Sequence, residues 1–293
     1  MNWTRREMLK MTAVGALAGA WGTRLMAEEA VPVPLVGACD WNLAGTNHPG
    51  CFAMAKEIGL DGSQVSFMMT EEAAYDLRKP EVQKLFLRNA EETGMKIASF
   101  AIGNGNDCPF WQLDDAVQRM SDCLRSMVAM GCAGKCVLLP FFGKASMDTD
   151  DKVVETIKRL KRVAPCAKDL GVTIALELPQ HSAMYLRIIQ EVDSPAVRAY
   201  YDPGNMVSLF NGNTDAICED ILKLTGLIAE AHAKDTGLLG KGVIDYAKIM
   251  VAYRKAGYTG WQVLEGSVDA KLGHKESYRR NAEYLRKLGY KKA

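Results

Sequence analysis

Between residues 35 and 290, eight short apolar runs alternate with eight longer amphipathic stretches, and few folds accept that order. The runs fall at 35–38, 62–67, 96–102, 135–140, 173–178, 199–202, 227–233 and 261–265, lengths suited to buried strands. The stretches near 48–59, 81–94, 114–130, 150–170, 184–193, 214–225, 245–257 and 275–288 have helical spacing. In 150–170, Val153, Val154, Ile157, Leu160, Ala164, Ala167 and Leu170 form one apolar stripe, with Lys158, Arg159, Lys161 and Lys168 off it. Gly171 then follows as a C-cap, and Gly94, Gly131, Gly226 and Gly257 sit at equivalent stops. Strands that alternate with helices pair in parallel. Eight such units predict an α/β protein, a single (β/α)8 TIM barrel over 35–290 with no linker or composition break. An open doubly wound sheet suits the chain less well, because no Gly-x-Gly-x-x-Gly accompanies the first strand.

Four of these strand runs end in a residue with metal-ligand chemistry: Glu177, Asp202, His232 and Glu265. Their spacings are 25, 30 and 33 residues, each close to one strand plus one helix. Side chains at the C-terminal ends of barrel strands point into the mouth, where such folds keep their chemistry. Three carboxylates and one imidazole at those places describe a divalent-cation site. A carboxylate placed directly after an apolar run, as at Glu177 and Glu265, is costly to bury unpaired. The competing account is a salt bridge to a Lys or Arg at the rim, and Asp202-Pro-Gly taken alone reads as an ordinary turn.

Charge and cysteine usage bound the partners. The formal net charge is +1 without a basic stripe, which argues against nucleic acid or an anionic membrane surface. Residues 4–10 are basic, 11–21 are apolar and rich in Gly and Ala, and Leu25, Met26 and Ala27 follow like a cleavage site. The pair Arg5 and Arg6 resembles a twin-arginine signal. Residues 1–27 are therefore expected to be a signal peptide read by the twin-arginine export machinery, with the protein periplasmic. The apolar run is too short to span a hydrocarbon core of about 30 Å. Eight cysteines without a Cys-x-x-Cys pair or framework spacing read as free, buried thiols.

The local sequences around the four ligands sharpen the reading. They are Leu-Glu-Leu at 176–178, Tyr-Asp-Pro-Gly-Asn at 201–205, His-Ala-Lys-Asp at 232–235, Gly-Lys-Gly-Val-Ile-Asp at 240–245, Gly-Tyr-Thr-Gly-Trp at 257–261 and Leu-Glu-Gly at 264–266. Together they resemble the sugar phosphate isomerase/epimerase family, the xylose-isomerase-like barrel superfamily that includes ketose 3-epimerases, hydroxypyruvate isomerases and inosose-processing enzymes. The resemblance covers 35–290. It implies that Glu177, Asp202, His232 and Glu265 bind one Mn²⁺, Mg²⁺, Co²⁺ or Zn²⁺, and that Glu177 and Glu265 are the acid/base pair. Two departures stand out. Ketose 3-epimerases of this superfamily carry a His three residues after the Asp ligand and an Arg six residues after the His ligand; here those positions are Asn205 and Leu238. Apurinic endonucleases share the barrel but need further His ligands, which a chain with four histidines in total does not supply.

The expected activity is metal-dependent isomerisation or epimerisation of a non-phosphorylated sugar or keto-sugar by proton transfer next to a carbonyl. Asn205, His181, Gln180 and Lys234 lie near the ligands in sequence as hydrogen-bonding candidates. Trp41 and Phe67, at the ends of the first two strands, are candidates for stacking on a sugar face. Two alternatives stay open: a lyase that cleaves a keto-glycoside by β-elimination, and a non-catalytic exported carbohydrate-binding barrel. Association into homo-oligomers is also left open.

Overall fold

The computed structural model describes residues 31–70 and 73–291, so the signal peptide expected at 1–27 lies outside the described residues. The strands are β1 (Val36–Cys39), β2 (Gly62–Phe67), β3 (Lys96–Ile102), β4 (Cys136–Pro140), β5 (Thr173–Glu177), β6 (Val197–Tyr201), β7 (Ile228–Ala233) and β8 (Gln262–Leu264). They alternate with α1 (Cys51–Ile58), α2 (Pro80–Thr93), α3 (Ala116–Ala129), α4 (Asp150–Asp169), α5 (Ser182–Val192), α6 (Thr214–Lys223), α7 (Tyr246–Lys255) and α8 (His274–Leu288). Each strand pairs in parallel with the next, and β1 also pairs with β8, which closes the sheet into a (β/α)8 barrel. The expected strands and helices all form, with ends displaced by a few residues.

Helix stops follow the glycines. Gly94, Gly131, Gly171, Gly226 and Gly257 all take positive φ, the left-handed turn that returns each chain segment to a strand. The apolar stripe of α4 differs in part from the expected one. Val154 is 48% exposed, whereas Thr156 and Val163 are buried with Val153, Ile157, Leu160, Ala164 and Ala167. At 100° per residue the buried set spans an arc of about 120°, and Val154 lies beyond its edge on the far side of Ile157.

Most of the core lies between the barrel and its helices, with a small apolar cluster of Ala101, Cys136, Leu138, Ala175 and Tyr200 among the buried strand residues. Because side chains alternate along a strand, Ala175 and Glu177, Tyr200 and Asp202, and Glu230 and His232 share faces. The polar network around Tyr200 and Glu230 puts that face inside. Gln64 Nε2 donates to Ser99 Oγ at 2.9 Å, to Tyr200 OH at 3.1 Å and to Glu230 Oε2 at 3.4 Å, and the Ser99 hydroxyl donates to the same carboxylate.

Burial pushes Glu230 up to about 7, although Ser99 and His232 pull the other way. Its ordinary value is near 4.5, so between these limits the folded chain holds a proton that the unfolded chain has lost. Stability therefore falls as pH rises through that window and is level above it. Asp40 and Asp202 are raised in the same direction, so a comparison with Glu230→Gln isolates one group. The variant should lose up to about 3 kcal/mol of the wild-type difference in unfolding free energy between pH 5 and 8. Urea denaturation at both pH values measures it, and identical pH slopes would disprove the assignment.

Candidate metal centre

Glu177 ends β5, Asp202 follows β6, His232 lies near the end of β7 and Glu265 follows β8, so four adjacent strands deliver one side chain each to the same rim. Their ligand atoms all lie within 4.8 Å of one another. His232 and Asp202 are fully buried, and Glu177 is 5% exposed. The imidazole Nδ1 faces the carboxylates, 3.1 Å from Glu177 Oε1, 3.6 Å from Glu265 Oε2 and 3.9 Å from Asp202 Oδ2. Its Nε2 lies 3.3 Å from Cys39 Sγ.

The backbone around each donor is tightly specified. Asp202 Oδ1 accepts from Gly204 N at 2.7 Å, closing the turn that follows β6. A Cβ on Gly204 would stand 2.7–2.8 Å from atoms of Lys234, so only glycine lets these two loops pass. Asp235 accepts from the amides of Thr236, Val243 and Ile244 at 2.7, 2.9 and 3.1 Å, which fixes the loop after β7. Gly242 is needed there, because a Cβ would stand 2.3–2.4 Å from the Asp235 carboxylate. After β1, Asp40 accepts from the amides of Asn47 and Ser66 and from the Ser66 hydroxyl, holding the turn that presents Trp41.

Lys234 completes the charge pattern. Its Nζ donates to Glu265 Oε2 at 2.9 Å and to Asn205 Oδ1 at 3.1 Å, and lies 3.7 Å from Asp202 Oδ2. Asn205 Nδ2 donates to Glu177 Oε1 at 3.0 Å, so an amide and an ammonium link the two outer carboxylates. The salt bridge considered as a rival for Glu265 therefore exists, yet it leaves the cluster incomplete. Among the described residues, none donates a hydrogen bond to the buried Asp202 Oδ2. A buried acceptor of this kind calls for a missing partner, and three carboxylates with one imidazole suit a divalent cation. The donor set fits such an ion.

Burial and the crowding of charges also govern proton binding in the cluster. Burial pushes Asp202 up to about 7 against the pull of Lys234 and His232. Burial also opposes charge on His232, but the Cys39 sulfur and the Glu177 and Glu265 carboxylates outweigh it and hold the imidazole well above its ordinary value. For Glu265, burial is outweighed by His232 and Lys234, which hold the carboxylate low. Burial pushes the Cys39 thiol up to about 12. The cluster thus gathers protons where a metal would otherwise sit.

Above the donors opens a cavity of about 390 Å³ lined by Trp41, Thr46, Ile102, Gly103, Asn106, Leu138, Pro140, Phe142, Glu177, Asn205, Lys234 and Glu265. Of the residues singled out in the sequence, Trp41, Asn205 and Lys234 line it. His181 does not: it stands just before α5 without a side-chain capping bond, is exposed, and packs edge-on against Phe210. Gln180 bonds to the Met147 carbonyl instead. Phe67 is fully buried beneath the Arg78 guanidinium, because Gln64 on the same strand faces inward and parity turns Phe67 outward. All eight cysteines are free, with five of them buried.

The family model for xylose isomerase-like TIM barrels matches residues 52–288. The chain belongs to that family. Solved structures of similar fold include the 3-keto-D-glucoside 4-epimerase of E. coli, at 19% identity over 87% of this chain and 99% of that one, with a TM-score of 0.68. A D-allulose 3-epimerase from Methylomonas sp., solved with D-allulose, is 18% identical over 89% and 99%, with a TM-score of 0.66. A D-psicose 3-epimerase from Clostridium cellulolyticum H10, solved with D-tagatose, is 15% identical over 86% and 98%, with a TM-score of 0.70. At these identities the likeness establishes the fold. Comparison with curated protein sequences finds none that matches.

A cation that binds here must displace protons. Calorimetric titration with Mn²⁺ in two buffers of different ionisation enthalpy should show one to two protons released per ion, with affinity falling at least about tenfold for each pH unit below neutrality. His232→Ala should lose most of the affinity and part of the proton release. Unchanged affinity in that variant removes His232 from the ligand set.

Proposed function

We propose that this protein is a divalent-metal-dependent sugar isomerase or epimerase that moves a proton on a carbon next to a carbonyl. The observation behind this reading is the orphaned Asp202 Oδ2 within a four-donor cluster at the floor of a sugar-sized cavity. Glu177, Asp202, His232 and Glu265 would hold one Mn²⁺, Mg²⁺, Co²⁺ or Zn²⁺. Bound there, a divalent cation supplies electrophilic stabilisation of the negative charge that develops on substrate oxygens as the proton leaves. The relatives of similar fold named as sugar epimerases support the same class of chemistry.

The protein's own groups divide the remaining work. Glu177 and Glu265 are the two bases, reaching the floor from β5 and β8 with two strands between them. A proton taken by one and returned by the other at the same carbon inverts the centre. Return to the adjacent carbon interconverts aldose and ketose. Asn205 and Lys234, which bridge the two carboxylates, hold them in place and offer hydrogen bonds to sugar hydroxyls. Trp41 forms one wall. Among the described residues, Lys234 is the one cation lining the cavity, and Glu265 and Asn205 already engage it. The described residues leave no cluster of cations there for a phosphate, which favours a non-phosphorylated sugar or keto-sugar.

Glu177→Gln and Glu265→Gln keep an oxygen donor and nearly the same volume while removing a proton acceptor. Each metal-loaded variant should lose turnover by about 10²–10⁴-fold, with one of them still exchanging the substrate α-proton with solvent. A panel of sugars and keto-glycosides in D₂O provides the readout. Deuterium in an intact product supports the proposal, release of an aglycone makes the enzyme a β-eliminating lyase, and no exchange on any substrate leaves a binding protein. Wild-type turnover by either variant would reduce that residue to a ligand.

Export by the twin-arginine route to the periplasm is proposed for residues 1–27, on the pair Arg5 and Arg6 ahead of an apolar run. Replacing both by Lys preserves charge but not the receptor's signal, so processed protein should vanish from the periplasmic fraction. Normal processing of that variant would point to a different route.

A further inference from the structure

Resting on the reading of the four-donor cluster as a divalent-cation site, we infer that the Cys39 thiol is a positioning residue for His232: its sulfur accepts the Nε2–H bond that keeps Nδ1 aimed at the ion. A neutral imidazole has one N–H and one lone pair. With Nδ1 turned toward Glu177, Glu265 and Asp202, the lone pair given to an ion is on Nδ1, and the ring proton must reside on Nε2. That N–H needs a partner in a dry interior. Cys39 Sγ stands 3.3 Å away on β1, across the closed seam of the barrel from β7. Both residues are fully buried, so bulk water does not compete.

The ring is also held from other sides. Tyr200 meets it at 4.6 Å between ring centroids and Trp41 at 6.3 Å, both in edge arrangements. These contacts restrict where the ring sits, but neither supplies a hydrogen-bond acceptor to Nε2. Metal-binding histidines usually donate their second N–H to a carboxylate, a carbonyl or water, which raises the basicity of the ligating nitrogen. A thiol sulfur is a weak acceptor. Cys39 therefore fixes the orientation of His232 while leaving it a modest donor, and the three carboxylates dominate the site's preference for ions.

Competition between the protein and a chelator for Mn²⁺ tests the inference on wild type, Cys39→Val and Cys39→Ser. Valine fills the space but strands the Nε2–H, so affinity should fall about tenfold, the lower end of the usual cost of losing a partner of a ligating histidine because sulfur is a weak acceptor. Serine keeps an acceptor and should restore most of the loss. A second measurement needs no variant: in ¹⁵N-histidine-labelled wild-type protein loaded with Zn²⁺, the His232 proton should be on Nε2 with Nδ1 bound to the ion. Wild-type affinity in Cys39→Val, a serine variant as weak as the valine one, or a proton on Nδ1 overturns the assignment. Failure of wild-type protein to bind either ion would instead overturn the reading of the cluster itself.

Discussion

Three carboxylates brought together out of water are the interaction on which the rest of this molecule turns. Isolated buried carboxylates protonate or pull in cations, and this cluster shows both tendencies. Asp202 is pushed up to about 7, while His232 and Lys234 are held in their charged forms beside it. A divalent ion on the four donors, with Lys234 retained, would bring the three negative charges to balance. Under the proposed function, proton transfer from a neutral sugar to one of the glutamates would move charge within the site without creating a net excess. The loops that hold Asp202, Lys234 and Asp235, with Gly204 and Gly242 at their closest approaches, serve that balance.

Closure of the sheet makes the balance possible. The donors reach a common point because parallel strands end at one rim, and inside each strand the residue two positions earlier also faces inward. Glu230 is the clearest case, buried one layer beneath His232 in a network with Gln64, Ser99 and Tyr200. The barrel interior is thus polar at two levels, and only the upper one opens to the cavity that holds the candidate chemistry.

Much of this was legible in the sequence. The eight-unit alternation predicted the barrel, and the regular spacing of Glu177, Asp202, His232 and Glu265 predicted that they would meet, because one unit of strand plus helix advances the chain by one place around the ring. Other features needed three dimensions. His181 is only four residues beyond Glu177, but the start of α5 turns it away from the mouth. Phe67 ends β2 on the outward parity, and nothing in an isolated apolar run reveals which parity is inside. Thr46, Asn106 and Phe142 line the cavity from loops whose neutral residues carry no chemical signal. Glu230 was the avoidable omission: a carboxylate two residues before a strand-end ligand shares its face.

The cavity is built unequally from the two halves of the barrel. Loops and strand ends of β1, β3 and β4 supply Trp41, Thr46, Ile102, Gly103, Asn106, Leu138, Pro140 and Phe142, whereas β5 to β8 supply Glu177, Asn205, Lys234 and Glu265. Most of the cavity wall and the candidate ligands therefore reside on separate stretches of chain, 41–142 and 177–265. Substitutions at Thr46, Asn106 and Phe142 can remodel what fits without touching the charged floor, whereas Trp41, which packs edge-on against His232, ties the two stretches together. Under the proposed function, such a partition would let a lineage of barrels diversify in the sugars it accepts while inheriting one proton-transfer apparatus.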